Sequence, residues 1–282
     1  MKPLIIAGID FSDGSMSALQ YAIRVANAID ANIMMVWVDK MKNPSAVYAN
    51  SFDPRLEAKK RFEEIMDDYR PKLLSGKFLF KIRNGKVHKE LVNQAKYHDA
   101  VMIVAGTHGV SGFDEFWIGS NAYKIVAYAT CPVLTIRYGV PTDKAFTNIV
   151  LPVDSTRETR QKLPYTAFLA NQFNAKINIL SLYSTGVKTI RDLVDNYSEQ
   201  AMDYLKERDI NCELFTLEAD NLTDGTIEFA KSVDADLISI MTEQETSATN
   251  LLLGPYAQQM VNHSPIPVLT IRSRSIYDYQ TR

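Results

Sequence analysis

Two segments of the chain close on the same letters. CPVLTIR covers Cys131–Arg137 and IPVLTIR covers Ile266–Arg272. The likeness extends upstream. IIAGIDFS (Ile5–Ser12) resembles IVLPVDST (Ile149–Thr156), DANIMMVWV (Asp30–Val38) resembles NAKINILSL (Asn174–Leu182), and HDAVMIV (His98–Val104) resembles VDADLISI (Val233–Ile240). Four blocks in one order mark a duplication. Each copy then has half of 282 residues, enough for one ordinary domain. Aligning Asp10 with Asp154 gives an offset of 144, and aligning Pro132 with Pro267 gives 135. The second copy is therefore nine residues shorter, and the loss lies between its second and fourth strands. The boundary falls in YGVPTDKAFTN, Tyr138–Asn148, which places the domains at 1–140 and 147–282.

Within the first copy two periodicities alternate. LIIAGI, IMMVWV and VMIVA are apolar throughout and of strand length, which suits strands covered on both faces of a parallel sheet. KFLFKI alternates like an edge strand, and PVLTI is a fifth strand. Between them, Ser15–Asp30, Pro54–Tyr69, Val87–Tyr97 and Ser120–Tyr128 read as helices, the first capped by Ser12 or Asp13. Strand–helix alternation predicts right-handed crossovers in an α/β layer. Ligands of such sheets sit beyond the carboxyl ends of the strands. The second copy repeats the strands near Ile149–Val153, Ile177–Tyr183, Cys212–Leu217, Leu237–Met241 and Val268–Ile271. Pro164 aligns with Gln20, in mid-helix, so that helix is either kinked or starts late with Pro164 in its first turn.

Composition narrows the classes. The formal net charge of −2, with both signs interspersed, gives no basic face for nucleic acid. No apolar run approaches the ~18 residues of a membrane span, and the short run after Lys2 is no secretory leader, so a cytoplasmic protein without a membrane partner is expected. Cys131 and Cys212 lie in different halves beside strand-like runs and read as buried thiols. His88, His98, His108 and His263 have no zinc-site spacing, and no metal ligands are assigned.

The chemistry concentrates in GTHGVSGFDEFWIGSN, Gly106–Asn121, between the fourth strand and the fourth helix. Glycine lets backbone approach a ligand, and a helix N-terminus supplies free amides and a positive dipole end. Gly106 and Gly109 leave the strand; Gly119 and Ser120 open the helix. Ser120 reads as its N-cap, with a hydroxyl that could bond a phosphate oxygen instead. The amides of Ser120, Asn121 and Ala122 would face the same spot. The alternative is that these glycines serve turn geometry alone. No Gly-Lys-Ser/Thr follows, so this is not a Walker A loop, and a dinucleotide G-x-G-x-x-G would follow the first strand instead. His108 reads as a solvent-facing loop residue.

Gly106-x2-Gly109-x9-Gly119-Ser120, with CPVLTI and GIDFSDGS as closing and opening elements, resembles the signature of universal stress proteins, over almost the whole chain as two tandem copies. The resemblance implies two Rossmann-like domains of the adenine-nucleotide α-hydrolase type. Each would be a five-stranded parallel sheet with helices on both faces, and the two would pair as an intramolecular pseudo-dimer through their PVLTI strands. It implies ATP or AMP as ligand, with or without Mg, as some members of the family bind nucleotide and others do not. Gly106, Gly109, Gly119, Ser120 and Asn121 would hold ribose and phosphates, with Ala105 on the ribose side. Asp10 matches the acidic residue beside the nucleoside, with Gly8 and Ile9 on the wall around it. Trp37 matches the position whose main chain recognises adenine, where the family commonly has a small aliphatic residue. Asp10 also has a local reading as the cap of the turn that follows it.

The second copy has Met241 in place of Gly106, Gln244 in place of Gly109 and Pro255 in place of Ser120; Gly254 remains. Proline has neither N–H nor hydroxyl, so two phosphate donors vanish together. This copy is expected not to bind nucleotide triphosphate in the family manner. It also acts as an internal control, implying that the fold does not need Gly106, Gly109 or Ser120 for turning. Three functions stay open: a stress-response regulator binding ATP or AMP in its first copy, a nucleotide-independent interaction module, and a slow ATP hydrolase without an evident base. Whether two such chains form a homodimer is not readable.

Overall fold

The structure is a computed structural model and describes residues 2–39, 53–107, 119–142, 144, 146–242, 244–247 and 250–273. The chain divides into two compact units, Met1–Thr142 and Asp143–Arg282.

The first unit runs β1 (Leu4–Gly8), α1 (Asp13–Ile29), β2 (Asn32–Asp39), α2 (Pro54–Tyr69), β3 (Phe78–Asn84), α3 (Val87–Tyr97), β4 (Met102–Gly106), α4 (Ser120–Tyr128) and β5 (Val133–Ile136). Its strands pair in parallel in the order β3-β2-β1-β4-β5. The apolar runs are central: Ile5, Ile6, Ile33, Met35, Met102 and Ile103 are fully buried. The alternating KFLFKI run is β3, at the end of the order, where one face meets water. Between β1 and β4 the order reverses direction, and a cleft opens there at the strands' carboxyl ends.

The second unit runs β6 (Asn148–Val153), α5 (Leu163–Phe173), β7 (Lys176–Tyr183), α6 (Lys188–Lys206), β8 (Cys212–Glu218), α7 (Leu222–Ser232), β9 (Leu237–Thr242), β10 (Gln244–Ser247), β11 (Asn250–Leu253), α8 (Pro255–His263) and β12 (Val268–Arg272). Its parallel order is β8-β7-β6-β9-β12, the image of the first. The duplication reaches details of backbone. Asp30 and Asn174, which end the first helix of each unit, both adopt the left-handed conformation, as do Asp99 and Asp234 before the fourth strands. Asp and Asn are the non-glycine residues that accept this conformation most readily.

The shortening is resolved by the strand registers. Ile33 pairs with Phe78, 45 residues on, whereas Ile177 pairs with Cys212, 35 residues on. Ten residues are thus lost between the second and third strands, and one is regained before the fourth. The helix containing Pro164 starts late: Arg157–Lys162 forms a 3-10 turn, and α5 begins at Leu163 with the proline in its first turn. The hairpin β10–β11 is antiparallel and occupies the place of the first unit's glycine loop. The sequence reading did not anticipate it.

Candidate functional site

A cavity of about 400 Å³ opens at the reversal point of the first unit. Its walls come from the ends of β1 (Gly8, Ile9, Asp10), β2 (Val36, Trp37, Val38) and β4 (Ala105, Gly106, Thr107), and from the first two turns of α3 (Val87, Leu91) and the start of α4 (Gly119, Ser120, Asn121, Ala122, Ile125), with Ser15 of α1. Nine of the ten residues singled out from the sequence meet here: Gly8, Ile9, Asp10, Trp37, Ala105, Gly106, Gly119, Ser120 and Asn121. Gly109, the tenth, lies outside the described residues, as does His108.

The chain leaves β4 at Thr107 and returns at Gly119, and the two ends are tied together. Gly119 N–H donates to Thr107 O at 2.7 Å, while Thr107 N–H donates to Ile136 O at 2.9 Å. This latch fixes where α4 begins. The N-cap is Gly119, not Ser120, and no side chain caps the helix. The expectation of a Ser120 cap is therefore corrected: Ser120 is the first helical residue, exposed, with no hydrogen-bond partner for its hydroxyl among the described residues. The first intrahelical bond is Tyr123 N–H to Gly119 O at 3.2 Å. The amides of Ser120, Asn121 and Ala122 therefore have no acceptor within the helix, as at any helix start, and here no cap supplies one. Helix α3 also opens on the cavity without a side-chain cap. Two positive dipole ends thus face one space, which favours an anion there.

The glycines act by close approach. A Cβ on Gly106 would lie 2.9 Å from Gly14 O and 3.0 Å from Gly14 C, so α1 rests backbone to backbone on the end of β4. A Cβ on Gly119 would meet Thr107 O at 3.0 Å, and one on Gly8 would meet Leu91 Cδ1 at 3.1 Å. Neither Gly106 nor Gly119 has a positive φ. The second copy's lesson about turning thus stands for Gly106. Yet Gly106 has a packing role of its own, which that lesson had left out.

Asp10 behaves as its local reading has it. Its Oδ1 accepts from Ser12 N–H at 3.2 Å and from Ser12 Oγ–H at 2.5 Å, holding the turn that Ser12 then caps by accepting from Ser15 N–H. The turn needs help, because Phe11 sits at φ 64°. Phe11 in turn stands between Trp37 and Phe62, with ring centroids 6.5 and 5.3 Å away, and Arg61 covers it. Trp37 is thus braced by an aromatic row that continues to Phe80.

Sequence reasoning missed Thr107, Ser15, Val36, Val38, Val87 and Leu91. Val87 and Leu91, one turn apart on α3, carry a readable signal: a helix following β3 must open at the same sheet edge. Thr107 carries none, since its role is a tertiary bond. The thiols are half-buried rather than buried. Burial pushes Cys131 up to about 11, and Cys212 is raised for the same reason.

Comparison with known proteins agrees with this geometry. The universal stress protein family matches residues 3–137 and again 145–272. The chain belongs to the universal stress protein family. Its two copies make it a tandem member. Universal stress protein YxiE of Bacillus subtilis is 28% identical over 146 residues, which are 47% of this chain and 97% of that protein. A universal stress protein of Methanocaldococcus jannaschii is 25% identical over 142 residues, 47% of this chain and 81% of its own length. The crystal structure of a universal stress protein from Archaeoglobus fulgidus superposes with a TM-score of 0.77 at 15% identity, covering 95% of this chain and 98% of that one. At that identity the likeness speaks for the fold. No described helix of this family member is long and apolar enough to cross a membrane.

Proposed function

We propose that this universal stress protein is a regulatory protein that binds one adenine nucleotide, ATP or AMP, in the cavity of its first copy. The observation that carries the reading is the start of α4. Three amides have no acceptor within the helix there, and the Ser120 hydroxyl has no partner among the described residues, behind a floor of glycines, at the edge where two helix dipoles converge. The cavity is of small-molecule size. The sugar and phosphates would lie along Ala105, Gly106, Gly119, Ser120 and Asn121, and the base toward Val36–Val38, with Trp37 as a braced aromatic wall. Mg would enter on the phosphates of ATP.

Binding rather than turnover fits the lining. Among its described residues Asp10 is the one ionisable side chain, and it holds the Ser12 turn. The second copy is assigned no nucleotide, because Pro255 stands at the first position of α8 and offers neither amide nor hydroxyl.

The test is Ser120→Pro, which gives the first copy the second copy's residue. Proline is well tolerated at the first helical position, so the fold is expected to persist. Titration calorimetry of nucleotide-stripped protein with ATP and with AMP is expected to give a stoichiometry near one. Loss of two charge-assisted donors in the variant is expected to weaken binding by roughly 100-fold or more. Two sites per chain, or an affinity indifferent to Ser120→Pro, would overturn the assignment.

A further inference from the structure

A second cavity, of about 240 Å³, lies on another face of α1, lined by Gln20, Ile23, Arg24, Asn27, Lys72 and Thr142. Gln20, Ile23, Arg24 and Asn27 follow one another at helical spacing, so they form a single stripe. Two backbone segments are fastened to the flanks of that stripe. On one side Asn27 uses both ends of its amide: Nδ2 donates to Lys72 O at 2.8 Å and Oδ1 accepts from Leu74 N–H at 2.9 Å. This pins the turn after α2 against α1 and brings Lys72 to the rim. On the other side Tyr21 Oη–H donates to Pro141 O at 2.8 Å, and Arg24 Nη2 donates to Thr142 O. This pins the last residues of the first unit.

The cavity between them is cationic, with no counter-charge among the described residues. Arg24 Nη1 is shielded from solvent and has no hydrogen-bond partner among the described residues. Among the described residues neither Arg24 nor Lys72 forms an ion pair, and no carboxylate lines the cavity. Lys72 Nζ rests 4.5 Å from the centre of the Tyr69 ring, a weak substitute for a counter-charge. A buried guanidinium nitrogen without an acceptor is costly to keep unless something satisfies it. Its planar fork matches a tetrahedral oxyanion, and the neighbouring ammonium adds a second positive charge.

We propose that this cavity is an oxyanion site separate from the nucleotide cavity, taking a phosphate group, either free or as the head of a small monoester. A phosphate carries close to two charges at neutral pH, which two cations balance, whereas a carboxylate would leave one cation unmatched. A small turn of the Arg24 guanidinium would bring the shielded Nη1 to the anion while keeping Thr142 O on Nη2. Occupancy would therefore stiffen the segment that ends the first unit.

Calorimetry of the full chain with inorganic phosphate and with methyl phosphate, against acetate at matched ionic strength, tests the site. A saturable phosphate event is expected that acetate does not reproduce. It should survive Ser120→Pro and weaken roughly tenfold or more in Arg24→Gln. Lys72 is exposed, so Lys72→Ala leaves the fold intact and should weaken the same event severalfold. A tighter monoester marks the source as a phosphorylated solute; a tighter inorganic ion marks it as free phosphate. A phosphate event lost with Ser120→Pro but indifferent to Arg24→Gln and Lys72→Ala would place the anion in the first cavity and end the proposal. Absence of any saturable phosphate event would end it as well.

Discussion

At the end of the fourth strand the two copies solve one packing problem in opposite ways. In the first, Gly106 and Gly14 let strand and helix backbones touch, and α1 is α-helical from Asp13. In the second, Met241 and Glu158 stand at those positions, each 135 or 144 residues on. Met241 is buried and Glu158 points to water. The helix start here is a 3-10 turn, Arg157–Lys162, with α5 delayed to Leu163. Lys162 is buried there, its Nζ donating to Thr159 O and Oγ1 at 2.6 and 3.0 Å. Loss of the glycine, delay of the helix and arrival of a buried lysine are thus one change seen at three places. The comparison teaches that the glycine of the motif serves the fold of its own copy as well as any ligand.

The largest expected effect comes from breaking that pairing. Gly106→Met puts a side chain against backbone atoms that cannot move without shifting α1. Overpacking of this kind is expected to cost about 3 kcal/mol. Both tryptophans, Trp37 and Trp117, belong to the first copy, so denaturant unfolding followed by tryptophan fluorescence reports that copy selectively. A variant as stable as the parent would mean that α1 can retreat as freely as its counterpart has, and the contrast between the copies would lose its physical basis.

A smaller effect sharpens what Asp10 does. Asp154 repeats its bonds: Oδ1 accepts from Thr156 N–H at 2.8 Å and Thr156 Oγ1–H at 2.5 Å, and its own N–H donates to Thr159 Oγ1 as Asp10's does to Ser15 Oγ. The same carboxylate therefore persists where Gly106, Gly109 and Ser120 have been replaced, which marks it as a turn residue first. Asp10→Ala and Asp154→Ala are each expected to cost about 1 kcal/mol of stability. Nucleotide affinity separates them. A loss in Asp10→Ala alone assigns that residue a contact with the nucleoside; no loss in either leaves it to the turn.

Much of this was legible beforehand because burial writes itself into composition. Apolar runs such as IMMVWV give strands covered on both faces, and Pro54 and Ser12 mark helix starts by chemistry local to them. What escaped depends on partners far along the chain. Gly14 and Gly106 are 92 residues apart, and nothing in either neighbourhood says that they touch. Ser120 has the chemistry of a cap, yet the Thr107–Gly119 bond decides that the helix begins one residue earlier than a capping serine requires. The hairpin β10–β11 combines a polar half, Gln244–Ser247, with an apolar half, Asn250–Leu253, and shows no repeated period that would announce a strand pair.

The smallest effect at neutral pH concerns the ends of the second strands, where Asp39 and Tyr183 stand 144 residues apart. Asp39 is buried and accepts from Arg55 Nε–H of α2 at 3.1 Å. Tyr183 donates instead to Asp195 of α6, with Arg191 of the same helix 4.1 Å from its ring centre and paired to Glu218. The second copy thus exchanges a carboxylate for a phenol and takes its carboxylate from the helix. Burial first, then the bond to Asp195 and its charge, push the Tyr183 hydroxyl up from 10 to about 12. In the unfolded chain the phenol releases its proton near pH 10, while in the folded one it holds it to about 12. Between those values the unfolded state binds fewer protons, so stability falls as pH rises; below pH 10 the contribution is intact. Tyr183→Phe is expected to cost under about 1 kcal/mol at neutral pH, the worth of one hydrogen bond, and to flatten the alkaline decline. Denaturant unfolding by circular dichroism across that window gives both slopes. Equal slopes in parent and variant would mean that the phenol titrates alike in both states and that Asp195 does not hold it.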